Sequence, residues 1–184
     1  MAFSLQDFKT GLTFGGSRPS LFEFNFKATP TEIDNELEDM RLYCNVTEIP
    51  PLTVTPIERQ YFGRTVKIPG DMVFGDLTTT IVNTESFQVR NEIEKWMDLI
   101  NGTNSNLSFS DSTSMYGQAE ILHYRKDGKQ NMQYFFVDIW PTSVSEIALS
   151  YDTASDIEQF DCTWAYNYYR SFGSGIAAPN GAQI

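Results

Sequence analysis

The sequence is poor in the residues that carry covalent and metal chemistry. It has one histidine, His123, and two cysteines, Cys44 and Cys162, in 184 residues. No His or Cys pair has zinc-ligand spacing, and there is no Gly-rich phosphate loop, Gly-X-Ser-X-Gly elbow or calcium-loop pattern. His123 sits mid-strand in EILHYRK and shares an alternation face with Ala119, Ile121 and Arg125, which suits a structural or surface histidine better than a base. Glu36, Glu38 and Asp39 fall in an acidic run that offers no burial to shift a carboxyl pKa. These absences predict no enzyme, no cofactor and no bound metal.

Basic residues are scarce as well. Lys and Arg total 13 against 24 Asp and Glu, a net charge of −11. A protein that grips nucleic acid needs a basic stripe to neutralise phosphates. Here the longest basic cluster, Arg125-Lys126 with Lys129, flanks a turn. Between Lys129 and Arg170 there is no Lys or Arg, while Asp138, Glu146, Asp152, Asp156, Glu158 and Asp161 fall inside. Long apolar runs are missing too: no segment approaches a membrane span, and MAFSLQDFKTG lacks a run of signal-peptide length. The expectation is a protein without a membrane anchor, made and used without crossing a membrane. The Asn-X-Ser/Thr triplets at Asn45, Asn101 and Asn106 then carry no glycan. Cys44 and Cys162, on separate predicted strands, read as core thiols, with a disulfide left open.

What is present points to β structure. Aromatic residues make up 14% of the chain, apolar residues 41% and charged residues 20%, an ordinary globular balance. The length suits one domain, 1–184. Residues 1–17 read as a flexible, polar, Gly-marked arm, and 30–40 as an acidic solvated loop or short exposed helix. Phe22, Phe24 and Phe26 alternate with Glu23, Asn25 and Lys27 as a half-buried strand. A second strand, 41–49, alternates Leu42, Cys44 and Val46 with Tyr43, Asn45 and Thr47.

Residues 50–74 are β-branched but punctuated by prolines at 50, 51, 56 and 69, which argues against a central strand. A long hairpin protruding from the body, closed by Pro69-Gly70-Asp71, reconciles the two. Leu77, Thr79 and Ile81 then alternate with Thr78, Thr80 and Val82. One helix is expected over 84–101, capped by Asn83 or Thr84 and ended by Gly102. Its stripe of Phe87, Val89, Ile93, Trp96, Met97 and Ile100 must pack on a sheet. Asp127-Gly128 marks a hairpin between GQAEILHYRK and QNMQYFFVDIW, and PTSVSEIALSYDTASD holds one short strand. A last long strand sets Phe160, Cys162, Trp164, Tyr166 and Tyr168 against Gln159, Asp161, Thr163, Ala165 and Asn167, before a Gly/Ala-rich tail, 171–184, expected to be mobile. The predicted fold is mainly β: an antiparallel sandwich or barrel-like domain with one packed helix.

In their order, RPSLFEFNF, the PPLTV…GRTVKIPGDMVFGDLTTTIVN run, the Trp96 helix and WPTSVSEIALSYDTASDIEQFDCTWAYNYY resemble the tail tube protein of contractile-tailed bacteriophages over about residues 18–169. Segment 30–40 and the C-terminal tail look longer than the family pattern. The resemblance implies a virion structural protein, assembled in the host cytoplasm, whose copies form stacked, hexameric rings. It implies contacts with a tail sheath protein, with a baseplate or tube initiator and with a tail terminator, and a lumen that passes viral DNA without holding it. Under that resemblance Leu52, Val54, Ile57, Tyr61, Phe62, Val66 and Ile68 are inter-ring stacking candidates. Gln159, Asp161, Thr163 and Asn167 are lumen candidates, and the same residues would also suit a face turned to bulk solvent. A tube initiator, a secretion-system tube subunit, and a carbohydrate-binding or hydrolytic sandwich using Tyr168 or Tyr169 are the alternatives.

Overall fold

The computed structural model describes residues 4–12, 15–33, 35–108, 115–153 and 156–173. Among these described residues, nine strands and three α-helices run in the order α1 (Leu5–Gly11), β1 (Phe22–Ala28), α2 (Met40–Tyr43), β2 (Cys44–Thr47), β3 (Leu52–Tyr61), β4 (Arg64–Phe74), β5 (Leu77–Val82), α3 (Gln88–Ile100), β6 (Gly117–Tyr124), β7 (Gln130–Val144), β8 (Gln159–Ala165) and β9 (Tyr168–Gly173). β3 and β4 form their own two-stranded sheet; the rest join in the order β1-β6-β7-β8-β5-β2, with β9 also pairing β7. All pairings are antiparallel. The mainly β, sandwich-like fold expected from the alternation is the fold observed.

The 15-residue β7 organises the body. Its first part pairs β6 on one side and β9 on the other, and its last part pairs β8. Asp138 is an extra residue between Val137 and Ile139 in the ladder with β6, and it adopts a left-handed φ of 55°. Such a bulge bends a strand and sharpens its twist, which lets one strand serve two sheets. Pro141 does not end the strand: it sits opposite Trp164 at a second irregularity, so the separate short strand expected after it is the end of β7.

Alternation fills the space between the sheets. Phe24 and Phe26 of β1, Ala119 and Ile121 of β6, Phe136 and Ile139 of β7, Leu77 and Ile81 of β5, and Phe160, Cys162 and Trp164 of β8 are buried in one cluster. α3 adds Val89, Ile93 and Trp96. The Phe26 ring lies 5.8 Å from that of Trp96 and 5.3 Å from that of Trp164, tying both sheets to the helix. Each buried indole finds an acceptor, Trp96 on the Met115 carbonyl at 2.8 Å and Trp164 on the Thr79 hydroxyl at 2.9 Å. Gly117 is required where β6 passes Trp96: a Cβ there would lie 2.7 Å from the indole and from the Ala28 carbonyl. Cys44 and Cys162 are free buried thiols, and burial pushes Cys44 up to about 12.

Several local expectations change. The arm contains α1, whose Ser4 hydroxyl caps the Asp7 amide, because Ser followed by good helix formers is a helix start. The acidic segment forms a 3-10 turn, Asn35–Asp39, running into α2, and it buries Ile33, Leu37 and Met40 in the core. Its apolar residues at helical spacing decide that, while Glu32, Glu38 and Asp39 stay exposed. β2 is correspondingly short, and Leu42 is exposed on α2. α3 starts at Gln88 with Phe87 at the cap in a left-handed φ of 54° and no side-chain cap. Phe87, 39% exposed, thus lies at the cap and outside the buried stripe. Asn83 instead donates to the Glu158 carboxylate, and Asn101, not Gly102, closes the helix. Ile93 is buried with Trp96, while Met97 and Ile100 are half-buried at its margin. The tail beyond residue 173 and the loop 109–114 lie outside the described residues.

Candidate functional site

The hairpin β3–β4 departs from the rule that apolar residues go inside. Every residue of β3 and all of β4 except Gly70 and Phe74 are exposed, although Leu52, Val54, Ile57, Tyr61, Phe62, Val66, Ile68, Met72 and Val73 are among them. Strands of 10 and 11 residues reach on the order of 30 Å. The register pairs Leu52 with Phe74, Val54 with Met72 and Ile57 with Ile68. Alternation therefore puts Leu52, Val54, Met72 and Phe74 on one face, and Ile57, Tyr61, Val66, Ile68 and Val73 on the other. Near the tip the first face turns polar, with Lys67 3.2 Å from Glu58 and the Gln60 amide donating to Thr65 at 2.9 Å.

The tip is the two-residue turn Phe62-Gly63, both at positive φ (46° and 75°), a conformation matched to strand twist. The Phe62 ring meets the Tyr61 ring edge-on, 4.7 Å between centroids, and is 90% exposed. Pro69-Gly70-Asp71 does not close the hairpin, as the sequence suggested; it lies inside β4. Gly70 and Asp71 stand opposite the single residue Thr55, a β-bulge, and a Cβ on Gly70 would come 2.4 Å from the Thr55 carbonyl. The glycine serves a close strand approach there, not a turn. Reading those residues as the end of the hairpin hid Met72 and Val73, whose place in the apolar set the continued alternation could have revealed.

The base of the hairpin is anchored. Phe74 packs edge-on against Tyr169 at 5.5 Å and Tyr166 at 6.2 Å. The Tyr166 hydroxyl donates to the Gly75 carbonyl at 2.5 Å and the Tyr169 hydroxyl to the Pro50 carbonyl at 3.3 Å. Burial, with the Tyr169 and Asp76 charges beyond it, pushes the Tyr166 phenol up to about 12. Tyr169 is thereby committed to the aromatic cluster, and the Arg170 guanidinium lies over Tyr168 at 5.3 Å, so neither ring is the bare platform a glycan would need.

The outer face of β5 and β8 is the second surface. Thr78 pairs Thr163, Thr80 pairs Asp161 and Val82 pairs Gln159, all opposite the buried Leu77, Thr79 and Ile81. The Thr80 hydroxyl donates to the Asp161 carboxylate at 2.6 Å, and Ser145 brackets the Asp161 backbone from β7's end. Gln159, Asp161 and Thr163 thus share a hydroxyl-rich face with Thr78, Thr80 and Ser143, and none of these paired residues is a Lys or Arg. Asn167 is elsewhere: the expected long last strand is interrupted at residues 166 and 167, and β9 then continues along β7 where β8 leaves off, from Ala165 opposite Trp140 to Tyr168 opposite Val137. The Asn167 amide donates to the Asp138 carboxylate at 2.7 Å and its backbone N–H to Val137. It holds the corner where the chain changes sheets.

Among the described residues no group of three metal-ligating side chains converges, and no helix is long and apolar enough to cross a membrane. The geometry is one of surfaces: a projecting apolar hairpin and a two-faced sheet. Residues 17–171 match the sequence profile of the phage tail tube protein. The chain belongs to the phage tail tube protein family. It is 25% identical over 154 residues to the tail tube protein gp19 of Enterobacteria phage T4, covering 83% of this chain and 90% of that one. The tail tube protein of Serratia phage KSP90 is 22% identical over 132 residues, 72% of this chain and 75% of that one. The fold is shared with a chain of the PVC extracellular contractile injection system sheath–tube complex, with a TM-score of 0.58, 15% identity and coverage of 94% and 99%. It is shared also with a chain of the anti-feeding prophage baseplate, with a TM-score of 0.62, 9% identity and coverage of 84% and 94%. A tail tube protein is a structural component of the virion, and the resemblance found in the sequence is borne out.

Proposed function

We propose that this tail tube protein forms stacked, hexameric rings of a hollow tube inside a contractile sheath, with β3–β4 as the inter-ring stacking element. The observation that carries this is the exposure of both hairpin faces, from Leu52 and Val54 to Ile68 and Val73, on an element anchored to the body at its base. Covering such half-exposed side chains gains about 1 kcal/mol each, and exposed apolar patches of this extent mark interaction surfaces. β1 and β2 end the strand order of the body, and pairing them with neighbours closes a ring and removes open edges.

The face bearing Gln159, Asp161 and Thr163 with Thr78 and Thr80 lines the lumen. It offers hydroxyls and a carboxylate but no cation, so DNA phosphates find nothing to hold them. Asn167 serves the fold and not this wall. The protein acts without catalysis; its partners are the sheath, a baseplate-bound initiator, a tube terminator and its own copies, assembled in the host cytoplasm. Negative-stain electron microscopy of concentrated protein tests this by showing rings or tubes. A species that stays monomeric under all assembly conditions, with no tube in infected cells, overturns it. Asp161→Lys tests the lumen: tubes persist while DNA ejection slows, and unchanged infectivity removes Asp161 from the wall.

A further inference from the structure

We infer that the two ends of β7 are complementary docking surfaces, the cationic cleft before its start receiving the acidic loop after its end on a second copy of this chain. The inference rests on the self-assembly reading above but uses neither the hairpin nor the lumen face.

The cleft, of about 330 Å³, lies where the arm crosses the β6–β7 turn and is lined by Leu12, Arg18, Tyr124, Arg125, Lys126 and Asn131 among others. It is built, not incidental. The Asn131 amide donates to the Ser17 hydroxyl at 3.2 Å, which brings the arm and Arg18 to the turn, and the Arg125 Nε donates to Asn131 at 3.3 Å. The turn's own carboxylate, Asp127, accepts from the Lys129 backbone at 3.1 Å. Glu23, behind the cleft, accepts from the Tyr124 hydroxyl at 2.6 Å. Arg18, Arg125 and Lys126 are exposed and make no ion pair among the described residues, and they stand together at one cleft. In a chain of net charge −11, three unpaired cations at one cleft are a local inversion of sign.

The complement lies past Val144. Glu146, Asp152 and Asp156 are exposed carboxylates, interleaved with the exposed apolar side chains Leu149 and Tyr151. Tyr151 touches almost nothing on its own chain, at 103% exposure. Cations with Leu12 and Tyr124 on one surface thus face carboxylates with Leu149 and Tyr151 on the other, matching in charge and in apolar content. The two cannot meet within one chain, because the 15 residues of β7 separate them, a span on the order of 40–50 Å. The contact is heterologous, so each copy offers both halves and the interaction propagates along an assembly.

The test uses the full chain and charge reversal. Arg125→Glu with Lys126→Glu, and separately Asp152→Lys with Asp156→Lys, should each raise the concentration needed for assembly at least tenfold at low salt, read by sedimentation velocity. The chain carrying all four changes should recover assembly, because its ends are complementary again. One-sided double reversals that assemble like the parent, or a fourfold variant no better than they are, overturn the proposal; circular dichroism checks that each monomer is folded. A second readout does not need tubes. Carbodiimide coupling of a mixture of light and nitrogen-15 copies should join Lys126 to Asp152 or Asp156 between copies, seen by mass spectrometry. Tubes without that crosslink sink this contact alone, and the crosslink without tubes sinks the tube reading alone.

Discussion

The body and the hairpin draw on the same residue types and use them in opposite ways. In the body, Phe24, Phe136 and Trp164 alternate with polar neighbours and vanish into one cluster with Trp96. In the hairpin, Leu52, Val54, Ile57 and Ile68 follow the same alternation, and all remain about half exposed. The difference is what stands across from each face. The body has a second sheet and α3 opposite its apolar faces, while the hairpin has none. Apolar patterning therefore reports that a face will be covered, not whether the same chain covers it.

The comparison is broken most severely by attacking the body. Trp96→Ala removes the ring that links both sheets, opens a cavity and frees the Met115 carbonyl; a loss of about 3–5 kcal/mol is expected in urea unfolding. A loss under about 1 kcal/mol would show that α3 is not integral to the core. A smaller effect is expected at the corner, where Asn167→Ala deletes the bond to Asp138. It should cost about 1 kcal/mol and increase hydrogen exchange at the start of β9.

High pH probes the join between the two regions. Tyr166 has its folded pKa raised to about 12, chiefly by burial. An unfolded tyrosine ionises near 10, about two units lower. The contribution is thus whole below about pH 10 and is lost as pH rises toward 12, since the unfolded chain gives up its proton first. Tyr166→Phe should flatten that part of the stability profile. The smallest effect on the monomer is expected in the hairpin itself. Val54→Asp with Ile68→Asp, one on each face, should shift monomer stability by no more than about 0.5 kcal/mol and yet abolish stacking. Tubes that still assemble normally would remove β3–β4 from the inter-ring contact.

Much of this molecule is written in local pattern. Period-2 runs mark β1, β5, β6 and β8, Asp127-Gly128 marks the β6–β7 turn with Gly128 at a φ of 79°, and helical spacing marks α3. The hairpin was visible too, from prolines that no central strand would accept. Legibility failed where one residue type has two uses. Gly70 reads as a turn residue but serves a bulge, Pro141 reads as a stop but rides in a strand, and the acids of 30–40 conceal Ile33, Leu37 and Met40. Asn167 follows the strand period and still belongs to a corner, because a break in a ladder leaves no mark on alternation.

The sequence by itself determined the strand faces, the helix, the protruding hairpin and the scarcity of histidine and cysteine. Each of these depends on residue chemistry within a few positions along the chain. Only the tertiary structure decided that β7 serves two sheets through Asp138, that the last strand splits at residues 166 and 167, and that Arg18 joins Arg125 and Lys126 in one cleft. Those outcomes depend on which distant segments pack together, a competition among long-range contacts that no local pattern encodes.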